Sequence, residues 1–190
     1  MIETSFLKEE NLYGLGLQSF GNNVSISSKV SIYGANNLNI GNNVRVDDFC
    51  ILSGKIQIGN YVHIAAGTFI IAGDAGIIIE DFANISQRVN IFGKSDDYSG
   101  ETMTSPLVDS KYKCILQKKV IIQRHVIVGA GSVILPGVTL SEGTAVGALS
   151  LVSQSTSPWT IYAGTPAKAI KPRSKKLLEL EKEFLNDKRI

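Results

Sequence analysis

An apolar residue recurs at intervals of six along most of the chain. Neither the period of 3.6 of an α-helix nor the period of 2 of a single strand produces this spacing. A solenoid does, because three hexads of strand and turn, about 18 residues, close one triangular coil and aim each apolar residue inward. The pattern therefore predicts an all-β fold, a parallel β-helix. The apolar positions are Phe20, Ile26, Ile32, Ile40, Val46, Leu52, Ile58, Ile64, Ile70, Ile79, Ile85, Ile91, Ile122, Val128, Ile134, Leu140, Val146 and Val152.

The residues that follow these positions suit the corners of such a coil. Gly, Asn and Asp are frequent there, as in Gly41-Asn42-Asn43 after Ile40, and these residue types favour turns that need a positive φ. A generic β-sandwich is a poor alternative, because so long a phased series does not arise by chance. The spacing gives about six coils, over residues 20–39, 40–57, 58–78, 79–121, 122–139 and 140–157.

The two ends of the chain fall outside this pattern. A stack of coils exposes an apolar end unless something covers it, so we expect residues 1–19 to form an N-terminal cap. Residues 158–190 are expected to form a C-terminal tail in which Trp159 covers the last coil. Within the tail, Leu177, Glu181 and Phe184 have helical spacing and Ser174 can act as the N-cap. We expect a short C-terminal helix that packs on a neighbouring subunit.

The hexad series is interrupted once. Between Ile91 and Ile122 the chain is about 25 residues longer than one hexad requires. Long loops in compact domains are usually functional. The sequence therefore predicts an extruded active-site loop over residues 94–119.

Charge and cysteine content narrow the possible functions. The net charge is +2, and the basic excess lies in the tail, where residues 168–190 carry eight Lys or Arg against four Asp or Glu. This distribution favours a local site for a phosphorylated ligand over a nucleic-acid surface. Cys50 and Cys114 lack the spacing of a metal or disulfide site, so we expect free thiols. The first ten residues lack the features of a secretory signal, and we expect a cytoplasmic protein without membrane insertion.

Two segments near the C-terminus carry a family resemblance. The run VGAGSVILPGVT from Val128 to Thr139, followed by AGTPAKAI from Ala163 to Ile170, resembles the hexapeptide-repeat acetyltransferases. The similarity covers roughly residues 20–173. It implies a left-handed β-helix, a homotrimer with active sites in the clefts between adjacent prisms, acetyl-coenzyme A as co-substrate and no metal. It also implies that the acceptor is an amino or hydroxyl group of a sugar, either a nucleotide-linked deoxyamino sugar or a sugar unit for a bacterial surface polysaccharide such as O-antigen or lipopolysaccharide. A galactoside or xenobiotic O-acetyltransferase is the alternative.

The same resemblance predicts where coenzyme A binds. Its pantetheine arm needs a flat wall of accessible backbone, which small residues provide. Lys168 lies inside the AGTPAKAI segment that resembles the family. The basic residues after the last coil can bind phosphates, a lysine through its ammonium group and an arginine through two parallel N–H groups of its guanidinium. The expected cofactor-binding residues are Gly129, Ala130, Gly147, Ala148, Thr165, Lys168 and Arg173.

The catalytic residues are harder to transfer from the family. In the galactoside and maltose acetyltransferases a catalytic histidine lies at the end of the coil from which the long loop begins. In this chain Asp96 occupies that position. His63, one coil earlier, is the expected general base, with Asp96 and Asp97 orienting it or gripping the acceptor. The competing interpretation makes His63 a structural residue at a corner or trimer contact. Tyr98, Ser86 and Arg88 are expected to contact the acceptor sugar, and His125 to be structural.

Two other functions are compatible with a β-helix. A γ-type carbonic anhydrase needs three histidines on zinc, and the chain contains two. A structural or ice-binding β-helix would show regular threonine-rich outward faces and no extruded loop. The sequence therefore favours an enzyme.

Overall fold

The computed structural model describes residues 5–187 and shows a triangular parallel β-solenoid. Each coil contributes one short strand to each of three faces. The first face is an eight-stranded sheet in which seven parallel strands succeed one another and an antiparallel strand follows at the C-terminal end. Its strands are β2 (Ser25–Ile26), β5 (Arg45–Val46), β7 (His63–Ile64), β9 (Asn84–Ile85), β14 (Ile127–Val128), β17 (Ala145–Val146), β19 (Thr160–Ala163) and β20 (Lys168–Pro172).

The second and third faces are joined into one sheet because two long strands run around the corner between them. These are β6 (Ile51–Ile58) and β8 (Phe69–Ile79). The second face also contains β3 (Ser31–Tyr33), β10 (Asn90–Phe92), β15 (Val133–Ile134) and β18 (Leu151–Val152). The third also contains β1 (Ser19–Phe20), β4 (Leu38–Ile40), β13 (Val120–Ile122) and β16 (Thr139–Leu140).

The interior is the aliphatic ladder that the hexads predict. Ile64, Ile85 and Val128 succeed one another inside the first face and are fully buried. The register pairs β7 with β9 and β9 with β14, so each inward side chain stacks on its counterpart one coil away. About seven coils form rather than six, because β19 pairs in parallel with β17 and extends the solenoid to Ala163.

Three edges separate the faces. The aromatic edge, between the third and first faces, carries Tyr61, Phe82, His125 and Trp159, all with positive φ. The Arg88 edge, between the first and second faces, carries Phe49, Arg88 and Leu149, also with positive φ. The loop edge, between the second and third faces, releases the long loop after Gly93. There a Cβ on Gly93 would lie 2.3 Å from the carbonyl oxygen of Ala72, so only glycine fits.

The two ends are capped by helical or extended segments. At the N-terminal end, helix α1 (Glu9–Tyr13) buries Leu12, and the 3-10 turn Ala35–Asn37 lies in the first coil. At the other end, the Trp159 ring covers Gly143, as predicted. Helix α2 (Leu177–Asp187) packs on the aromatic edge of its own chain, a docking site that the sequence did not predict.

Candidate active site

The long loop leaves the prism through a narrow neck. Strand β11 (Lys94–Ser95) pairs antiparallel with β12 (Leu116–Gln117), and the Lys118 N–H donates to the carbonyl oxygen of Gly93 at 2.9 Å. The Gln117 side chain also accepts from the Asp74 N–H at 2.8 Å. The extruded part, here called the active-site loop, therefore comprises residues 96–115, and it includes the 3-10 turn Ser110–Tyr112.

Asp97 organises the start of this loop. Its carboxylate accepts hydrogen bonds from the backbone N–H and hydroxyl of Ser99 at 2.7 and 2.6 Å, and from those of Thr102 at 2.8 and 3.1 Å. The bonds from Ser99 and then Thr102 hold the pKa of Asp97 far below its usual range. A carboxylate held in this way is a poor proton acceptor, so the geometry suits loop ordering better than catalysis.

Asp96 is in the opposite situation. Its side chain is exposed, and within residues 5–187 its carboxylate has no hydrogen-bond or ion-pair partner. It lies between two cavities that share Phe92, Lys94, Ser95 and Asp96. The larger, 610 Å³, extends towards the C-terminal coils, and the smaller, 350 Å³, lies under the loop. Tyr98, 94% exposed, lies on the rim of the larger cavity.

Ser86 lies on another side of the prism. It directly follows β9, faces outward and precedes the Arg88 edge, and its N–H donates to the carbonyl oxygen of Val128. Strand β10 then crosses the whole second face before the chain reaches Asp96. Neither cavity at Asp96 is lined by Ser86. Arg88 is exposed at its own edge and folds over Gly67.

His63 is not near Asp96 of the same chain, so the expected pairing of the two would need Asp96 of a neighbouring chain. It faces outward from the first face, where its Nε2 lies 2.9 Å from the Asp47 carboxylate. Asp47 also accepts from the Arg45 Nε at 2.7 Å. Partial burial acts to raise the pKa of Asp47, but the hydrogen bonds from His63 and Arg45 outweigh it and the pKa is lowered. The sequence analysis missed Asp47 and Arg45, although Arg45 and His63 occupy the same place in consecutive coils.

The predicted cofactor wall forms a column beside the Arg88 edge. Gly129 and Gly147 take the same place as Ser86 in the next two coils, and Ala130 and Ala148 follow them. A Cβ on Gly129 would lie 2.5 Å from the Ala148 nitrogen. Backbone packing therefore requires glycine at this position, and the same absence of a side chain leaves the surface flat.

The remaining predicted cofactor residues lie beyond the last coil. Thr165 donates its hydroxyl to the Leu149 carbonyl oxygen at 3.2 Å, and Lys168 is exposed at the start of β20. Arg173 instead turns inward. Its Nη1 donates to the carbonyl oxygens of His125 and Gly143 at 2.7 and 2.9 Å, and burial lowers its pKa. This geometry suggests that Arg173 holds the C-terminal tail against the solenoid rather than binding a phosphate.

The described residues contain neither a candidate metal site nor a candidate membrane-spanning helix. Within residues 5–187, no cluster of three or more His, Cys, Asp or Glu side chains could hold a metal ion. Across the same residues, no helix has the length and hydropathy needed to cross a membrane.

Comparison with known proteins identifies relatives over nearly the whole chain. Residues 37–72 match the family model "Bacterial transferase hexapeptide (six repeats)". The chain is 49% identical to a dTDP-4-amino-4,6-dideoxy-D-glucose acyltransferase of Escherichia coli, over 95% of each chain. It is 30% identical to a putative lipopolysaccharide biosynthesis O-acetyltransferase of Escherichia coli K12, over 74% of this chain and 71% of that one.

Solved structures of one further relative superpose closely. The structure of AntD, an N-acyltransferase from Bacillus cereus, in complex with dTDP and 3-hydroxybutyryl-CoA matches with a TM-score of 0.97 at 48% identity, covering 99% of this chain and 100% of that chain. This match shows that the solenoid is a left-handed β-helix. Other AntD structures carry an aspartate replaced by asparagine or alanine, or a serine replaced by alanine, cysteine or threonine. The aspartate lies ten positions after the serine.

Proposed function

The chain belongs to the hexapeptide-repeat acyltransferases, and we propose that it transfers an acyl group from an acyl-coenzyme A to the amino group of a dTDP-linked 4-amino-4,6-dideoxyhexose. The relative with 49% identity is named for this acceptor, and AntD has been crystallised with the same sugar nucleotide and coenzyme A. The acceptor is thus an amine rather than a hydroxyl.

One observation carries the assignment of the site. The serine and aspartate altered in AntD are ten positions apart, and Ser86 and Asp96 have the same separation in this chain. Both residues face outward. The carboxylate of Asp96 also has no partner among the described residues, whereas that of its neighbour Asp97 accepts four hydrogen bonds. We therefore assign the catalytic carboxylate to Asp96 rather than to Asp97.

The chemistry requires a group that faces the attacking nitrogen. As the amine attacks the thioester carbonyl, a C–N bond forms, the C–S bond breaks and the nitrogen becomes positively charged until it loses a proton. An unpaired carboxylate stabilises that charge and can relay the proton, which ends on the departing thiolate of coenzyme A. Asp96 meets this requirement without help from His63, which is occupied by Asp47 on another face.

The positions of Ser86 and Asp96 support a homotrimer. The second face separates the two residues within a chain, so a site that uses both must join Ser86 of one protomer to Asp96 of the next. Most outward side chains of the second face are also apolar, as expected of a surface that packs around a threefold axis. They include Ile51, Phe69, Ile71, Phe92, Val133, Leu135 and Leu151.

Coenzyme A then occupies the C-terminal half of each cleft. Gly129, Ala130, Gly147 and Ala148 offer flat backbone to the pantetheine arm, and Thr165 and Lys168 lie farther along the same direction, where the nucleotide end would follow. Tyr98 and Arg88 remain as contacts for the acceptor. The acyl group itself need not be acetyl, since AntD binds 3-hydroxybutyryl-CoA.

The decisive experiment measures release of free coenzyme A with defined acceptors. We expect turnover with dTDP-4-amino-4,6-dideoxy-D-glucose, and none with a simple galactoside or chloramphenicol. Comparing acetyl-CoA with 3-hydroxybutyryl-CoA identifies the donor. Asp96→Asn should lower kcat by about a hundredfold, whereas Asp109→Asn, a control in the same loop, should not. Turnover of the galactoside in preference to the amino sugar would contradict the proposal.

A further inference from the structure

The first face changes character at Ser86. From the first coil to that of Ser86 most of its outward residues are polar, Ala65 being the exception, whereas in the coils after Ser86 they are small or aliphatic. The polar set is Arg45, Asp47, His63 and Asn84, and the other set is Ile127, Gly129, Ala145 and Gly147. The second set forms the proposed wall for pantetheine. The polar set has no part in the transfer chemistry derived above.

Within the polar set, Asp47 orients two nitrogen-rich side chains. It lies between Arg45 and His63 and is mostly buried, with 17% of its side chain exposed, whereas 59% of Arg45 and 40% of His63 remain exposed. Asp47 binds the Arg45 Nε and the His63 Nε2, which leaves the terminal nitrogens of Arg45 and the Nδ1 of His63 for another partner. Arg45 is further held by stacking on Phe6, with its guanidinium carbon 4.9 Å from the ring centroid.

The distance from this pair to Ser86 matches the size of one sugar. Neighbouring coils are about 4.8 Å apart and residues along a strand rise about 3.3 Å each. His63 lies one coil before Asn84, and Ser86 lies two residues farther along that strand. The resulting diagonal from His63 to Ser86 is about 8 Å, which is enough to span a pyranose ring from its 4-amino group to the phosphate attached to its anomeric oxygen. A sugar whose amine lies at Ser86 would thus place its diphosphate over Arg45 and His63.

We propose that Arg45 and His63, held by Asp47, bind the diphosphate of the nucleotide-linked acceptor. This inference rests on the proposed function. The planar guanidinium of Arg45 suits phosphate oxygens. His63 adds a second donor as an imidazolium, whose Nε2–H donates to Asp47 and whose Nδ1–H then donates to a phosphate oxygen. Lys29, the neighbouring cation, is engaged by Asp48 at 2.8 Å. The two phosphorylated substrates then lie on opposite sides of Ser86, with the acceptor towards the N-terminal coils and coenzyme A towards the C-terminal coils.

The test measures dissociation constants of dTDP and of coenzyme A by calorimetry on three variants. In His63→Gln the amide nitrogen can keep the contact to Asp47 while the Nδ1 side is lost, and Arg45→Gln removes the guanidinium. Lys55→Gln removes an exposed cation beside the loop edge and serves as the matched control. We expect dTDP to bind about tenfold more weakly to the first two variants, the usual effect of a lost charge-assisted hydrogen bond, with coenzyme A binding and the Tm unchanged.

The outcomes separate this inference from the proposed function. The wild-type protein is measured first, because failure to bind dTDP or to acylate the sugar nucleotide overturns the proposed function itself. If the wild-type protein binds dTDP, unchanged dTDP affinity in either His63→Gln or Arg45→Gln overturns the inference alone. Equal weakening in Lys55→Gln would reveal a general charge effect and also overturn it. Weaker binding of coenzyme A in place of dTDP would assign this surface to the donor.

Discussion

The two adjacent aspartates of the active-site loop show how far residue-level reasoning reaches. Asp96 was predicted from the sequence because it stands where related enzymes carry a histidine, and Asp97 was predicted together with it as its neighbour in the loop. The structure separates them, since Asp97 is saturated by Ser99 and Thr102. A signal was available, because an aspartate two positions before a serine favours a local turn that occupies its carboxylate. The position of His63 relative to the loop of its own chain could not be predicted, for another reason. Coil order alone does not say which face a residue occupies.

We predict that Asp97→Ala disorders the start of the loop and lowers kcat about tenfold, because Asp96 then loses its fixed position. The Tm should change little, since the loop lies outside the core. Asp97→Asn keeps a carbonyl oxygen for the same N–H donors and should retain most of the activity. Steady-state kinetics and thermal melts measure both effects. A large fall in Tm with unchanged kcat in the folded enzyme would contradict this role.

At the level of elements, helix α2 was predictable but its docking site was not. The helix packs on a ladder of aromatic rings along one edge. Tyr61 and Phe82 stack at 4.9 Å, Phe82 and His125 at 5.2 Å, and Phe184 of the helix meets Tyr61 at 5.3 Å. These rings lie at irregular separations in the sequence, because the loop and the longer coils intervene. Periodicity therefore could not bring them together.

Glu181 holds helix α2 against the aromatic edge through two polar contacts. Its carboxylate accepts from Arg124 and from the His125 Nε2 at 2.8 Å. Burial acts to raise the pKa of Glu181, but the bonds from His125 and Arg124 outweigh it and the pKa is lowered from its ordinary value near 4.5. A lowered pKa means that the carboxylate form stabilises the docked helix. That stability is present above the ordinary pKa and is lost as the pH falls through the lowered one.

We therefore predict that Glu181→Gln speeds hydrogen exchange of the α2 amides at pH 7 while the coils keep their protection. In the wild-type protein, docking should persist at pH 6 and weaken only as the pH falls below the ordinary carboxyl pKa near 4.5 and through the lowered pKa of Glu181. Glu183→Gln, an exposed acid on the same helix, is the matched control. Equal protection of α2 in Glu181→Gln and the wild type at pH 7 would show that the aromatic contacts hold the helix alone.

On the scale of the whole molecule, the fold was predictable because the buried apolar residues recur every six positions in the sequence. The seventh coil escaped notice because Pro158 and Tyr162 replace the expected turn and aliphatic residues, and pairing of β19 with β17 defines it instead. The site was less predictable for a physical reason. Ser86 and Asp96 lie on different edges of one prism, and a sequence does not show which edges of two copies meet.

A shared site has a measurable consequence in mixed trimers. Asp96→Asn removes the loop carboxylate, and Ser86→Trp fills the cleft from the other protomer, so each variant alone should be nearly inactive. In trimers formed by co-expressing the two, Asp96 of a Ser86→Trp protomer can face Ser86 of an Asp96→Asn protomer. Random assortment then leaves about a quarter of the sites intact, and we expect about that share of wild-type turnover. Light scattering should give a trimer mass for every sample. A site contained within one chain would leave the mixture as inactive as its components, because every chain carries one of the two lesions.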